Sequence, residues 1–198
     1  MPDEKNRLQS AARINEPDLQ HDPEFEELVQ MASEICDAQV AFIMLYDGEK
    51  QWAGVCKGAK VDHFPQLYQL CLHIAKSQHL VMIEDITDIE SSITDLANFN
   101  ETSLRFFAGV PLVTSDKQTI GTLCVTDKRV NILNHHQQLM FKMLAKQAVN
   151  LLEHRANIKL LEKNKQAFET QSQQMKNAGI TLRSFFESAP NFHVLLGK

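Results

Sequence analysis

From Asn134 onward apolar residues recur at helical spacing, and neither proline nor glycine interrupts the chain until Gly179. About 45 residues at about 1.5 Å each make a rod of roughly 65 Å, roughly double the width of a small domain. Its distal half cannot pack on the sheet that its first half covers. Asn134 is a candidate N-cap, with Gln137 three residues later in a capping-box arrangement. Any fold proposed for this chain must therefore join a globular unit to a helix that outruns it.

The globular unit is readable from changes of period. Residues Met1 to about His21 are polar, carry Pro2 and Pro17, and read as an arm. At Asp22 the pattern changes: an N-cap aspartate, Pro23 at the first helical position, then Phe25, Leu28, Val29, Ala32, Ile35 and Cys36 on one face. Val40–Tyr46 is a continuous apolar run closed by Asp47-Gly48, the mark of a central strand, and Gln51–Cys56 is its hairpin partner. A short helix around Leu67–Lys76 and a strand Leu80–Ile83 follow, then a polar stretch, Asp85–Glu101. Leu104–Val113 and Thr119–Thr126 flank the turn residues Ser115–Gln118 as a second hairpin. The outcome is an α+β domain with an antiparallel sheet of five or six strands.

Charge and cysteine usage exclude several classes. A formal net charge of -5 argues against binding nucleic acid by bulk attraction. The longest apolar run, Val40–Tyr46, is too short to span a bilayer, and no signal peptide opens the chain, so a cytoplasmic location is expected. The four cysteines, Cys36, Cys56, Cys71 and Cys124, lie far apart without a CxxC, which suggests buried thiols rather than a zinc site or disulfide framework. No HExxH, P-loop, GxGxxG or paired nucleophile and base is present, so the segment is not expected to be an enzyme.

Two stretches carry a family signature, Leu104-Arg105-Phe106-Phe107-Ala108-Gly109-Val110-Pro111-Leu112 and Ile120-Gly121-Thr122-Leu123-Cys124-Val125-Thr126-Asp127. Together they resemble the "RFYAG-x-PL … GTLCV-x-D" strands of bacterial GAF domains. Glu24–Leu28, Asp47–Trp52 and Leu70–Ile74 match, in order, that family's first helix, its "D…RQW" hairpin and its "FCAHAI" segment. The family's "DPRF" piece is missing, and Ile89–Phe99 stands in its place. The resemblance implies a GAF-type, PAS-like fold, with the helices from Asp22 and Asn134 on one sheet face and a lid over a small-molecule pocket on the other. Leu182–Asn191 looks like the opening of a PAS domain. The expected organisation is an arm (1–20), a GAF domain (21–155), a coiled-coil-like connector (156–180) and the start of a PAS domain (181–198). Series of this kind usually precede a histidine kinase or a diguanylate cyclase.

The candidate pocket residues are Phe42, Met44, Trp52, Leu70, Cys71, His73, Arg105, Phe107 and Cys124. Cys71 and His73 are poorly spaced for a shared metal, because helical positions two apart point about 200° apart. Cysteine beside histidine also resembles the bilin anchor of phytochrome GAF domains, but Cys-x-His occurs in this family without pigment. Bilin, haem and metal are therefore not expected. Arg105 in a strand needs a carboxylate, from Asp85 or Glu84, unless it receives an anionic ligand.

Three functions fit: a small-molecule sensor, a ligand-free dimerisation scaffold, or a thiol-redox protein resembling free-methionine sulfoxide reductase. The last needs cysteines clustered in the lid; Cys36 falls on the opposite-face helix and Cys124 in a central strand, which weakens it, although Cys56 and Cys71 could still approach each other. A parallel homodimer is expected along the last helix, with Leu144, Leu151 and Ile158 at a and Leu161, Phe168 and Met175 at d. Gln147, His154, Lys165 and Ser172 interrupt that seam. The expected partners are thus a small ligand, a second copy, and downstream PAS and output domains.

Overall fold

Five strands form one antiparallel sheet in the computed structural model, which describes residues 19–46, 51–58, 64–88 and 104–188. Of residues 20, 51–53, 64–66, 68, 88 and 179–188 it describes the backbone only. The elements are α1 (Pro23–Ile35), β1 (Val40–Tyr46), β2 (Gln51–Lys57), α2 (Phe64–Ser77), β3 (Val81–Ile83), β4 (Phe106–Val113), β5 (Thr119–Asp127) and α3 (His135–Ser188). Strand order is β2-β1-β5-β4-β3, so the apolar run of β1 is flanked on both edges, as its composition required. The α+β class and the antiparallel sheet expected from the sequence are what the structure shows. The arm before Leu19, the Asp47-Gly48 turn, the stretch 89–103 and the residues after Ser188 lie outside the described residues.

Side-chain alternation sends each strand's residues to two separate cores. Ala41, Ile43 and Leu45 of β1, Ala108, Val110 and Leu112 of β4, and Leu123 and Val125 of β5 face α1 and the start of α3. Phe42, Met44, Phe107 and Cys124 face α2. The first core is closed by side chains such as Phe25, Val29, Phe141 and Leu152, each contributing about 1.5–3 kcal/mol by full burial.

The helix starts are built as the sequence suggests. The Asp22 carboxylate accepts the Glu24 N–H at 3.1 Å, and Pro23 opens α1. Before α3, the Asn134 N–H donates to Gln137 Oε1 at 2.9 Å and the Gln137 N–H donates to Asn134 Oδ1 at 3.0 Å, a reciprocal capping box. Gln137 Nε2 also donates to the Ile35 carbonyl at 2.8 Å, and Asn131 Nδ2 to that of Cys36 at 2.9 Å. These bonds satisfy carbonyls that the end of α1 leaves open.

The chain divides into two compact units, residues 1–154 and 155–198. In the second, α3 does not stop at Gly179 but continues to Ser188. One glycine costs a helix only about 0.5–1 kcal/mol, too little to end it. Leu182–Asn191, read as a PAS opening, is helical to Ser188, and the remainder lies outside the described residues.

Candidate functional site

The face of the sheet under α2 gathers most of the residues singled out above. Phe42 and Met44 from β1, Phe107 from β4 and Cys124 from β5 meet Leu67, Leu70, Cys71 and Ile74 from α2, with Ile86 at the margin. The helix repeats its apolar positions at three and four residues, so Leu67, Leu70, Cys71 and Ile74 form one stripe. Partly buried Val40, Cys56, Val81, Ile83 and Leu104 surround the cluster.

Close approach of α2 depends on Gly109. This residue lies directly opposite Cys124 in the β4–β5 register, and a Cβ there would fall 2.3 Å from Ile74 Cδ1 and 3.0 Å from Cys124 Sγ. The missing side chain is the space that Ile74 occupies. As a result Cys71 Sγ and Cys124 Sγ lie 3.7 Å apart, both buried. Burial and then the neighbouring Cys71 push the Cys124 thiol well above its ordinary pKa, while the Thr122 hydroxyl pulls weakly the other way. Cys36, in the other core, is pushed up to about 12 by burial. The sequence placed no two cysteines together and left only an approach of Cys56 to Cys71 open. Strand alternation could have identified Cys124 once its register against β4 was known.

Thr122 was missed altogether. It sits two residues before Cys124 on the same face of β5, opposite Met44 of β1 and Pro111 of β4. Its side chain is fully buried, and among the described residues its hydroxyl has no partner in hydrogen-bond geometry beyond a weak contact with the Cys124 thiol. Four residues further on, on the same face, Thr126 is also buried but donates to the Phe106 carbonyl at 2.7 Å. Unsatisfied buried hydroxyls cost about 1–3 kcal/mol, so Thr122 is a costly polar point in a largely apolar face.

Arg105 belongs to a different arrangement. Its guanidinium forms a bidentate pair with Asp85, Nε donating to Oδ1 at 2.7 Å and the second nitrogen to Oδ2. Asp85 also accepts from the Thr87 N–H and hydroxyl. The Arg105 hydrogen bond holds the Asp85 carboxyl well below the usual carboxylate range. This pair ties the end of β3 to the start of β4 and supplies the carboxylate that a strand guanidinium needs. Asp127, the last residue of the second signature, is likewise structural: buried, it accepts from Gln39 N at 2.9 Å and Arg129 N at 2.8 Å. Burial raises its pKa, but the Arg129 and Gln39 hydrogen bonds outweigh that and lower it.

Three further expectations need correction. His73 is exposed on α2, because two helical steps from Cys71 turn it away from the sheet. Leu144 is 7% exposed and belongs to the core with α1, which takes it out of a dimer seam, and Leu151 is partly buried against the same core. Heptad spacing places them with Ile158, yet the sheet claims them first. Ile158, Leu161, Phe168 and Met175 are all exposed, Phe168 at 73%. The Trp52 side chain lies outside what is described, although its backbone pairs with Leu45. Among the described residues no three His, Cys, Asp or Glu side chains gather as a metal site. A cavity of about 470 Å³ at the β4 edge, lined by His79, Leu80, Val110, Gln138 and Lys142 among others, contains none of the expected pocket residues.

A two-faced antiparallel sheet with a long helix on one side and a short helix over an apolar cluster on the other defines the class. This chain belongs to the GAF domain family, which matches residues 21–152. The cyclic di-GMP phosphodiesterase PA2567 of Pseudomonas aeruginosa is 26% identical over 138 residues, 69% of this chain but 22% of that protein. The GAF domain of an Acinetobacter phosphoenolpyruvate-protein phosphotransferase superimposes with a TM-score of 0.57 at 17% identity, covering 79% of this chain and 96% of that one. A domain assigned to a two-component sensor histidine kinase protein of Sinorhizobium meliloti 1021 superimposes at 0.55 with 15% identity, covering 72% and 97%. GAF domains are usually regulatory sensors in bacterial signalling proteins, and among the described residues no helix is long and apolar enough to cross a membrane.

Proposed function

We propose that this chain is the sensing module of a multidomain bacterial signalling protein, which binds a small, mostly apolar molecule between α2 and the sheet. The observation that carries this reading is the buried Thr122 hydroxyl, which among the described residues meets nothing stronger than the Cys124 thiol, in the face formed with Met44 and Cys124. Such a face suits a ligand with an apolar body and one group that hydrogen-bonds Thr122. Binding acts on the output only if the ligand favours one arrangement of the module over another. The output is phosphotransfer or cyclic di-GMP turnover, in keeping with the relatives' domain partners. The signal passes along α3, which pairs with a second copy through Leu161, Phe168 and Met175.

A ligand-free scaffold is the second reading. It is favoured by the direct packing of Phe42, Phe107 and Ile74, all fully buried in one cluster. The deciding experiment is native mass spectrometry of the protein from its own cells, followed by a thermal-shift screen of metabolites, cyclic nucleotides and haem. A ligand at 100 times its Kd adds about 2.7 kcal/mol of stability. The sensor reading expects a hit that Phe107→Trp and Thr122→Val both weaken. If no compound stabilises the chain, or hits are indifferent to both changes, the scaffold reading replaces it.

A further inference from the structure

We propose that Cys71 and Cys124 are a redox-sensitive dithiol, which a small neutral hydroperoxide converts to a disulfide that staples α2 to the middle of the sheet. Three features of the fold support this. The sulfurs lie 3.7 Å apart, in van der Waals contact, and both thiols are free and buried. The opposing position on β4 is Gly109, whose missing side chain leaves the room that lets α2 settle this close. The two cysteines also come from different elements, a surface helix and a central strand, so the bond would fix a tertiary contact rather than a local turn. Bringing the sulfurs from 3.7 Å to about 2.05 Å requires the two side chains, and α2 with them, to close the remaining gap. The proposal stands whether or not a ligand binds.

Hydrogen peroxide is a suitable oxidant because it is small and uncharged and can enter during local opening of α2. One thiol, as thiolate, attacks a peroxide oxygen; the O–O bond breaks, the departing hydroxide takes up the released proton as water, and a sulfenic acid remains. The second sulfur then attacks the sulfenic sulfur, the S–S bond forms, and the hydroxyl leaves with the second thiol's proton as another water. The two sulfurs together lose two electrons, and one peroxide becomes two waters. Because the thiolate is the nucleophile and burial disfavours it, the reaction is slow beside that of an exposed cysteine. Cys56, only partly buried at the rim of the cluster, is the competing thiol.

The test uses the full chain, incubated with hydrogen peroxide and separately with diamide, then unfolded in iodoacetamide and digested without reductant. The expected result is a peptide pair joined through Cys71 and Cys124, with Cys36 and Cys56 alkylated, a higher thermal midpoint, and reversal of both by dithiothreitol. Cys56→Ser should retain the joined pair, whereas Cys71→Ser and Cys124→Ala should each lose it together with the rise in midpoint. Four alkylated cysteines after oxidation, a joined pair that always contains Cys56, or a joined pair without any rise in midpoint would overturn the proposal. Should Cys71→Ser or Cys124→Ala fail to fold, the peptide map of the unmutated chain decides alone.

Discussion

Replacing Thr122 by valine should stabilise this protein, and the same replacement at Thr126 should destabilise it. The two threonines sit on one face of β5, four residues apart, and both are buried. Thr→Val keeps the shape and exchanges a hydroxyl for a methyl group. At Thr122 the lost hydroxyl meets nothing stronger than the Cys124 thiol among the described residues, so its removal relieves a desolvation cost of about 1–2 kcal/mol. At Thr126 the hydroxyl donates to the Phe106 carbonyl at 2.7 Å, and its removal leaves that buried acceptor poorer by a similar amount. Over some 150 residues about 1 kcal/mol moves the midpoint by about 3 °C, so the variants should separate by roughly 6–12 °C. Calorimetry of the ligand-free protein, backed by urea unfolding, reads the difference. A Thr122→Val protein less stable than the parent would mean that the hydroxyl is partnered after all, and the argument for a ligand contact there would fall with it.

Acidification should expose the Arg105–Asp85 pair. The folded Asp85 pKa lies below its unfolded value, so its contribution is complete above about pH 5 and drains away as pH falls below the unfolded value near 4. Asp85→Asn should therefore show a flatter stability curve between about pH 5 and pH 3; an unchanged slope would remove the pair from the account. Gly121→Ala should cost more than Gly109→Ala, because the new Cβ meets the Met44 carbonyl oxygen at 2.3 Å, backbone that cannot swing aside, whereas at Gly109 it meets the tip of Ile74. Overpacking of this kind costs about 1–3 kcal/mol, and urea midpoints that rank the two in the opposite order would contradict the packing described. The paired α3 should be monomeric in light scattering after truncation at Arg155, and in Leu161→Lys/Phe168→Lys, while Leu144→Lys should unfold the first unit instead. A monomeric full chain, or a dimer untouched by the double change, would end the dimer proposal.

The sequence alone determined the elements, because an element's existence depends on local period and capping. The apolar stripe from Phe25 to Ala32, the closed run of β1, and the Asn134–Gln137 box are each written within a few residues, so their reading needed no partner. Even Arg105 was legible as half of an ion pair, since a strand guanidinium must find a carboxylate and only Asp85 and Glu84 stand at the preceding strand end. What only the tertiary structure decided is which face wins when two surfaces compete, and which distant atoms meet. Leu144 and Leu151 fit a dimer heptad by spacing, but burial on the sheet of the same chain needs no second molecule and takes precedence. Cys71 and Cys124 are 53 residues apart, and their contact depends on the β4–β5 register and on the gap at Gly109, neither of which is a local property. Thr122 and Thr126 are the same residue type on the same face of one strand, and only the position of the Phe106 carbonyl satisfies one hydroxyl while the other meets nothing stronger than a thiol among the described residues.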